Sequence, residues 1–439
     1  MIKTKDSHNS VSPAAETLSI EQIVDIILAR TPLMPVEEVP LLEGAGRVLA
    51  QNVYAVIDMP THPSSAMDGY AVRASDISGA SPVTPCRLKL AGKVAPNNAH
   101  TTCLHEGEAL RLSTGTPLPK GADCIVRFED TNMAEDTIEV LYTFPVGSNI
   151  RPVGESIAHG ALLLPQGRIL QTPEIAVLAS AGCTKVRTYR KPVVAILPTG
   201  DEVAQPGTTL EPGQIYDGNS YGLAVLVNES GGTPIILPPL RDQQASDLKM
   251  LGAERQADVV VTSGGIGNCD YDHFRSLIAQ GNDVKYYQVR IKPGKAFVFG
   301  VLEHHGHAML YFGMPGNAVS CLMAGEQFLR PALLKMTGKP QAPRPTLMAV
   351  MDDYKSNSSK TRTFARVNIH YTDGCWHAKL AGPQGSSIVT SLTRADGLAI
   401  IPEEHDAVPG DRLEIILLRQ PPIDSCHAPQ QNDKGKLTA

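Results

Sequence analysis

From Pro192 to about residue 336, short unbroken apolar runs take turns with segments of helical period, and no other feature of the chain narrows its fold so far. VVAILP (193–198), PIILPP (234–239), DVVVTSGG (258–265) and AMLYFGMPGN (308–317) read as strands. The runs are continuous rather than alternating, as in strands covered on both faces. Helices are predicted over 217–230, 242–255, 272–280 and 318–336. This alternation specifies βαβ units and a parallel sheet.

The flanking regions have a different rhythm. Short β-like runs separated by Gly/Pro turns occupy 70–73, 86–94, 108–113, 123–130 and 137–144, and again 347–353, 363–371, 376–382, 397–403 and 412–418. Ser19 reads as the N-cap of a helix carrying Ile20, Ile23, Val24, Ile27 and Leu28 on one face. A second helix is predicted over 173–181. The expected organisation is multidomain α/β plus β. Residues 15–60 and 147–190 form a discontinuous N-terminal domain, 61–146 a small inserted β-rich domain, 191–339 the α/β domain with a parallel-type sheet, and 345–418 a small all-β domain. Residues 1–14 and 420–439 read as flexible tails.

Composition excludes several classes. Apolar residues are 42% of 439, which supplies ample core and excludes a disordered chain. The net charge of -6 argues against a dedicated nucleic-acid binder. The eight cysteines form no CxxC pair, so a zinc ribbon or thioredoxin motif is not expected, and most sit in apolar runs as reduced, buried thiols. The first residues lack the apolar core of a secretory signal, and no apolar run approaches the roughly 20 residues of a membrane helix. A cytoplasmic protein without membrane partners is expected.

Six motifs carry residue types suited to chemistry. Asp68-Gly69 in 65–72 is either a turn or a functional carboxylate, and 113–119 around Thr114 is a turn-rich loop. Pro198-Thr199-Gly200-Asp201-Glu202 lies at the carboxyl end of a buried strand, where open α/β sheets bind ligands. Its acids suit a divalent cation or a polar ligand, or cap the loop. Ser263-Gly264-Gly265 offers backbone donors to an anion, with Asp270 and Asp272 nearby as hard-cation ligands of the kind Mg²⁺ uses beside phosphate. Ile291-Lys292-Pro293-Gly294-Lys295 puts two cations on one turn, solvated or facing a multiply charged oxyanion. Met314-Pro315-Gly316-Asn317-Ala318 takes a strand into a helix with Asn317 as N-cap. Carboxylates, lysines and backbone donors are therefore expected to converge on one sheet edge, around a polyanionic ligand handled with Mg²⁺. His304-His305-Gly306-His307 reads as a turn and Trp376 as core, and no GxSxG elbow supports a serine hydrolase.

In this order, SAMDGYAV (65–72), STGTPLPKGADCIV (113–126), GESI (154–157), PTGDEV (198–203), GQIYDGN (213–219), SGG (263–265) with DYD (270–272), IKPGKAFVFG (291–300), MPGNAVSC (314–321) and GPQGSS (382–387) resemble the molybdopterin molybdenumtransferase family, the MoeA-type proteins and the E domain of gephyrin. The resemblance runs from about residue 15 to 418. It implies a molybdopterin-binding α/β domain, a C-terminal β-barrel and an elongated subunit that pairs as a homodimer. It also implies insertion of molybdate into adenylylated molybdopterin with release of AMP and use of Mg²⁺. Lys292, Lys295, Ser320, Arg366 and Ser386 would hold molybdate. Asp68, Thr114, Glu202, Asp242, Asp270 and Asp272 would line the pterin-nucleotide and cation site, with Gly264 and Gly265 as substrate-binding backbone. Asp68, Glu202 and Asp242 would be catalytic, and Glu202, Asp242, Asp270 and Asp272 metal ligands. The adenylyltransferase and molybdoenzyme chaperones are further implied partners. The chain departs from the family pattern at Ser156, at Gly267-Asn268-Cys269, at Ala318 and at Gln288. Two alternatives stand beside the enzyme. One is a divergent non-catalytic paralogue that binds molybdopterin or acts as a scaffold. The other is an adenylyltransferase, against which the two flanking β domains argue.

If Asp68 completes the site of a partner subunit, two lesions should complement. Mixing inactive Asp68→Ala with inactive Glu202→Gln is expected to restore activity, up to one intact site per heterodimer. Subunits that demonstrably exchange without regaining activity would exclude the shared site.

Overall fold

A computed structural model describes residues 16–240, 254–266 and 282–420. The chain divides into two compact units, Glu38–Thr188 on its own, and Met1–Glu37 together with Tyr189–Ala439. Among the described residues no helix is long and apolar enough to cross a membrane. The predicted helices 242–255 and 272–280 lie largely or wholly outside the described residues.

The larger unit is built on a seven-stranded sheet. The four runs read from sequence become Val193–Pro198, Thr233–Ile236, Val259–Ser263 and His307–Met314, all mutually parallel. The sheet as a whole is mixed, which corrects the parallel-type expectation. Ala296–His304 runs antiparallel to both His307–Met314 and Asp283–Val289. A hairpin at His304–His307 makes this reversal, a turn too short for a crossover helix.

The N-terminal segment also departs from the expected grouping. Glu16–Leu18 pairs parallel with Asp283–Val289 on the edge of this sheet. Helix Ile20–Arg30 buries Ile20, Ile23 and Ile27 in the same core. An apolar stripe goes where an apolar face awaits it, not where chain order suggests. Ser19 caps this helix as predicted, accepting from Gln22 N–H while the Gln22 side chain accepts from Ser19 N–H.

The predicted helix 318–336 is continuous, with a π segment at Gly325–Leu329 between Ala318–Ala324 and Arg330–Met336. Its Phe328 ring lies 4.5 Å from Phe297. The cluster around them reaches from Leu18 to Phe364 and Leu398 of the C-terminal region. There the five strands read from sequence form a closed barrel, with Arg362–Thr372 pairing both Cys375–Leu380 and Gly397–Ile401. Trp376, read as core, is only partly buried against that barrel's interior.

The smaller unit holds a six-stranded sheet running from Gly69–Val72 to Thr137–Val140 in sequence. Around it, Val53–Tyr54 pairs with Leu162–Leu164 and Ser64–Ser65 with Ile150–Arg151. Thr131–Ala134 is a strand that the sequence pattern did not reveal. Of the described cysteines, all free, only Cys124 and Cys321 are buried, and Cys103 is exposed. The expectation of mostly buried thiols holds for those two alone.

Phe328 is wholly buried in the shared core. Phe328→Ala is expected to cost about 3–5 kcal/mol, read as a lower urea midpoint of the larger unit. An unchanged midpoint would deny that sheet, helix and barrel share one core.

Candidate functional site

Three loops meet at the carboxyl ends of the parallel strands. Thr199 N–H and its hydroxyl both donate to the Ser263 carbonyl, at 3.1 and 3.2 Å. Gly264 N–H donates to the Met314 carbonyl at 3.0 Å. That donor is spent on the neighbouring strand, so it is not the anion-binding group the motif suggested. Gly264 has φ +101°, and a Cβ there would come within 2.9 Å of the Thr199 carbonyl, so glycine is required by the close approach. Gly265 follows, partly exposed. The Asn219 side chain donates to the Gly316 carbonyl at 2.8 Å, tying the fourth loop to this edge. Buried Asp217 accepts from Ser220 N–H at 3.0 Å.

Glu202 is exposed at this edge, its carboxylate folded over Gly200. Among the described residues that carboxylate has no hydrogen-bond or ion-pair partner. An exposed carboxylate is an oxygen donor of the kind hard cations such as Mg²⁺ take. Asp242, Asp270 and Asp272, predicted beside it, lie outside the described residues.

The predicted anion ligands gather in a second place. A cavity of about 580 Å³ between the sheet domain and the barrel is lined by Lys292, Lys295, Ser320, Arg366 and Ser386. A short parallel ladder, Ile291–Lys292 on Arg362–Thr363, brings the lysine turn against the barrel. Gly294, with φ +108°, lets the turn approach the helix start, where a Cβ would sit 3.3 Å from the Ser320 carbonyl. Ser386 closes the third side, its carbonyl accepting from Val319 N–H at 3.0 Å. Asn317 occupies the N-cap position, but its side chain makes no capping bond, contrary to the sequence reading.

Arg366 is 1% exposed, the largest fully buried side chain described. Its guanidinium donates to the Gly385 carbonyl at 3.0 Å and the Ser391 hydroxyl at 3.1 Å. Its backbone is clamped by Gln384, which accepts from Arg366 N–H at 2.9 Å and donates to its carbonyl at 3.0 Å. Burial pushes the Arg366 pKa down. Four cations line the cavity, counting Lys355, and no acidic residue does among those described. A buried cation matched only by neutral acceptors is costly, and an anion offsets that cost. Neighbouring Cys321 is buried, and burial and then Asp217 push its pKa up, so it stays a thiol.

The expected single convergence is thus two adjoining constellations, joined by the Gly316–Ser320 segment. Sequence reasoning missed Lys355, Ser359, Thr361, Thr363 and Gln384 in the cavity wall. Only Gln384 carried a signal, its place in the GPQGSS motif. In the smaller unit Asp68 and Thr114 do meet: Thr114 N–H and hydroxyl both donate to Asp68 Oδ1, at 2.7 and 3.2 Å. Both residues are exposed.

An α/β sheet with an acid at its strand ends, opening beside a cationic cavity closed by a β-barrel, defines an enzyme class that handles anionic ligands. Comparison with known proteins is specific. Residues 18–182 match the MoeA N-terminal region (domain I and II), 195–335 the model described as probable molybdopterin binding domain, and 349–418 the MoeA C-terminal region (domain IV). The molybdopterin molybdenumtransferase of a Nostoc species is 31% identical over 392 residues, 88% of this chain and 90% of that one. Molybdopterin molybdenumtransferase 2 of Mycobacterium tuberculosis is 34% identical over 385 residues, 86% and 94% of the two chains. The molybdopterin biosynthesis MoeA protein from Pyrococcus horikosii superposes with TM-score 0.75 at 33% identity, over 92% of this chain and 100% of that chain. The chain belongs to the molybdopterin molybdenumtransferase family.

A tetrahedral dianion such as molybdate, at about a hundred times its Kd, is expected to stabilise the protein by about 2.7 kcal/mol through binding linkage. Lys295→Ala, at an exposed position, should shrink this gain in thermal or urea unfolding. A gain equal to that of the parent would take the dianion out of this cavity.

Proposed function

We propose that this chain inserts molybdate into adenylylated molybdopterin, releasing AMP, in molybdenum cofactor biosynthesis. One observation carries the reading: a cavity lined by four cations and no described acid, with Arg366 buried and paired with no carboxylate among the described residues. Molybdate is a tetrahedral dianion. Lys292, Lys295 and Arg366 supply opposite charge, and the Ser320 and Ser386 hydroxyls fill remaining oxygen positions. The Gln384 clamp holds the Arg366 backbone rigid, so little ordering remains to be done on binding.

The pyrophosphate of adenylylated molybdopterin suits the adjoining strand ends. Glu202, with Asp242, Asp270 and Asp272, would hold Mg²⁺, which when bound supplies charge neutralisation to phosphate oxygens. Asp68, with Thr114 bonded to it, would orient the pterin or its nucleotide. The protein acts in the cytoplasm as a homodimer, receives its substrate from the adenylyltransferase and passes product to molybdoenzyme chaperones.

Reconstitution with adenylylated molybdopterin, molybdate and Mg²⁺, reading AMP release, tests this. Each of Lys292→Ala and Lys295→Ala should raise the molybdate requirement roughly tenfold to a hundredfold, the equivalent of about 1.5–3 kcal/mol per charge-assisted bond. Glu202→Gln should slow AMP release strongly while the protein stays folded. A wild-type rate for Glu202→Gln at limiting Mg²⁺ would remove that residue from the reaction, and a folded parent that releases no AMP would favour the scaffold alternative.

A further inference from the structure

The barrel carries a group of side chains that the molybdate cavity does not use. His370 and His377 face each other across the Arg362–Thr372 and Cys375–Leu380 strands. Their rings stack at 5.4 Å, with 29° between planes. Thr346–Met351 runs parallel to the second of these strands, and Asp352, next in chain, donates its N–H to the Ala378 carbonyl at 3.0 Å. Three adjacent strands so place two imidazoles and a carboxylate together. His377 Nδ1 lies 2.8 Å from Asp352 Oδ1, and His370 Nε2 3.7 Å from Asp352 Oδ2. One ligand atom from each of the three lies within 4.8 Å of the others, the one such group among the described residues.

We propose that this face binds one divalent transition-metal ion of the zinc type, with Asp352, His370 and Nδ1 of His377 as ligands. Tetrahedral Zn²⁺ with bonds of about 2.0–2.1 Å holds its ligand atoms roughly 3.3–3.4 Å apart. The donors need to move by about an ångström. The movement falls to Asp352 and His370, whose side chains are 31% and 46% exposed, while His377, 20% exposed and bonded at both ring nitrogens, is the fixed member. Two imidazoles with one carboxylate select a borderline ion, whereas Mg²⁺ prefers oxygen donors alone. The site is therefore distinct in chemistry from the acids at the strand ends.

Cys375 has a separate part. Its Sγ lies 3.3 Å from His377 Nε2, on the opposite side of the ring from Asp352. One ion cannot take both nitrogens of one ring. In the metal-free protein Nδ1–H donates to the Asp352 carboxylate and Nε2 accepts from the Cys375 thiol; the ion would displace the Nδ1 proton, and the ring would then carry its proton on Nε2, with Cys375 Sγ as the acceptor. Three protein ligands leave a fourth position for water or an exogenous donor.

The test uses the full-length protein stripped by chelator and titrated calorimetrically with Zn²⁺ under excess Mg²⁺. We expect one tight Zn²⁺ per chain, weakened at least tenfold by His370→Ala and by Asp352→Asn. Both side chains are partly exposed, so both variants should keep the parent circular dichroism. Co²⁺ should give a tetrahedral visible spectrum without a thiolate charge-transfer band, and Cys375→Ser should keep that spectrum. Zn²⁺ bound equally by parent and variants, or by none of them, overturns the site. A strong thiolate band overturns the assignment of His377 Nδ1.

Discussion

A two-residue ladder holds the cationic cavity together. Ile291–Lys292 pairs in parallel with Arg362–Thr363, and Arg362 N–H donates to the Arg290 carbonyl at 3.0 Å. These few bonds make the lysine turn and the longest barrel strand neighbours. Arg366 lies four residues further along that strand from Arg362, and Lys295 three residues beyond Lys292. Apolar packing supports the ladder: Phe364 and Leu398 of the barrel sit in one core with Phe297, Phe312 and Phe328. Burial of that much aromatic surface holds in place the backbone that carries these charges.

The electrostatics of the cavity run against stability and toward function. The buried Arg366 guanidinium donates to carbonyl and hydroxyl acceptors, and no described carboxylate matches its charge. Two half-buried arginines of the same unit are, by contrast, paired with carboxylates. Arg190 bonds Asp258 at 2.6 Å, and Arg344 bonds Glu326 at 2.8 Å. In both of those pairs hydrogen bonds to the carboxylate hold the arginine pKa above its ordinary value, while burial holds that of Arg366 below it. The contrast supports the proposal that the partner of Arg366 is an anionic ligand.

The smaller unit shows the same economy in a different form. Ser65 and Asp68 come from one motif and Thr114 and Thr116 from another, 46 residues apart for the Asp68–Thr114 pair. Ser65 N–H donates to the Thr116 carbonyl at 2.9 Å and Gly115 N–H to the Ser65 carbonyl at 2.8 Å. The two loops are thereby stitched into one platform that presents the Asp68 carboxylate to solvent.

Local pattern decided much of this protein. Continuous apolar runs specified the four parallel strands, short β runs specified the barrel strands, and Ser19 with the apolar period after it specified the start of a helix, because each depends on residues close in sequence. The motif residues for the anion were also legible, since charge, glycine and turn chemistry are local properties. What the tertiary structure alone decided is non-local. It chose the antiparallel course of Ala296–His304, the docking of Ile20–Arg30 on the central sheet, and the division of the site into two constellations. It also brought in Lys355 and Gln384, and set Asp352 against His370 and His377. Strand order, register and loop approach depend on which distant surfaces bury each other, and a one-dimensional pattern does not contain that partner choice.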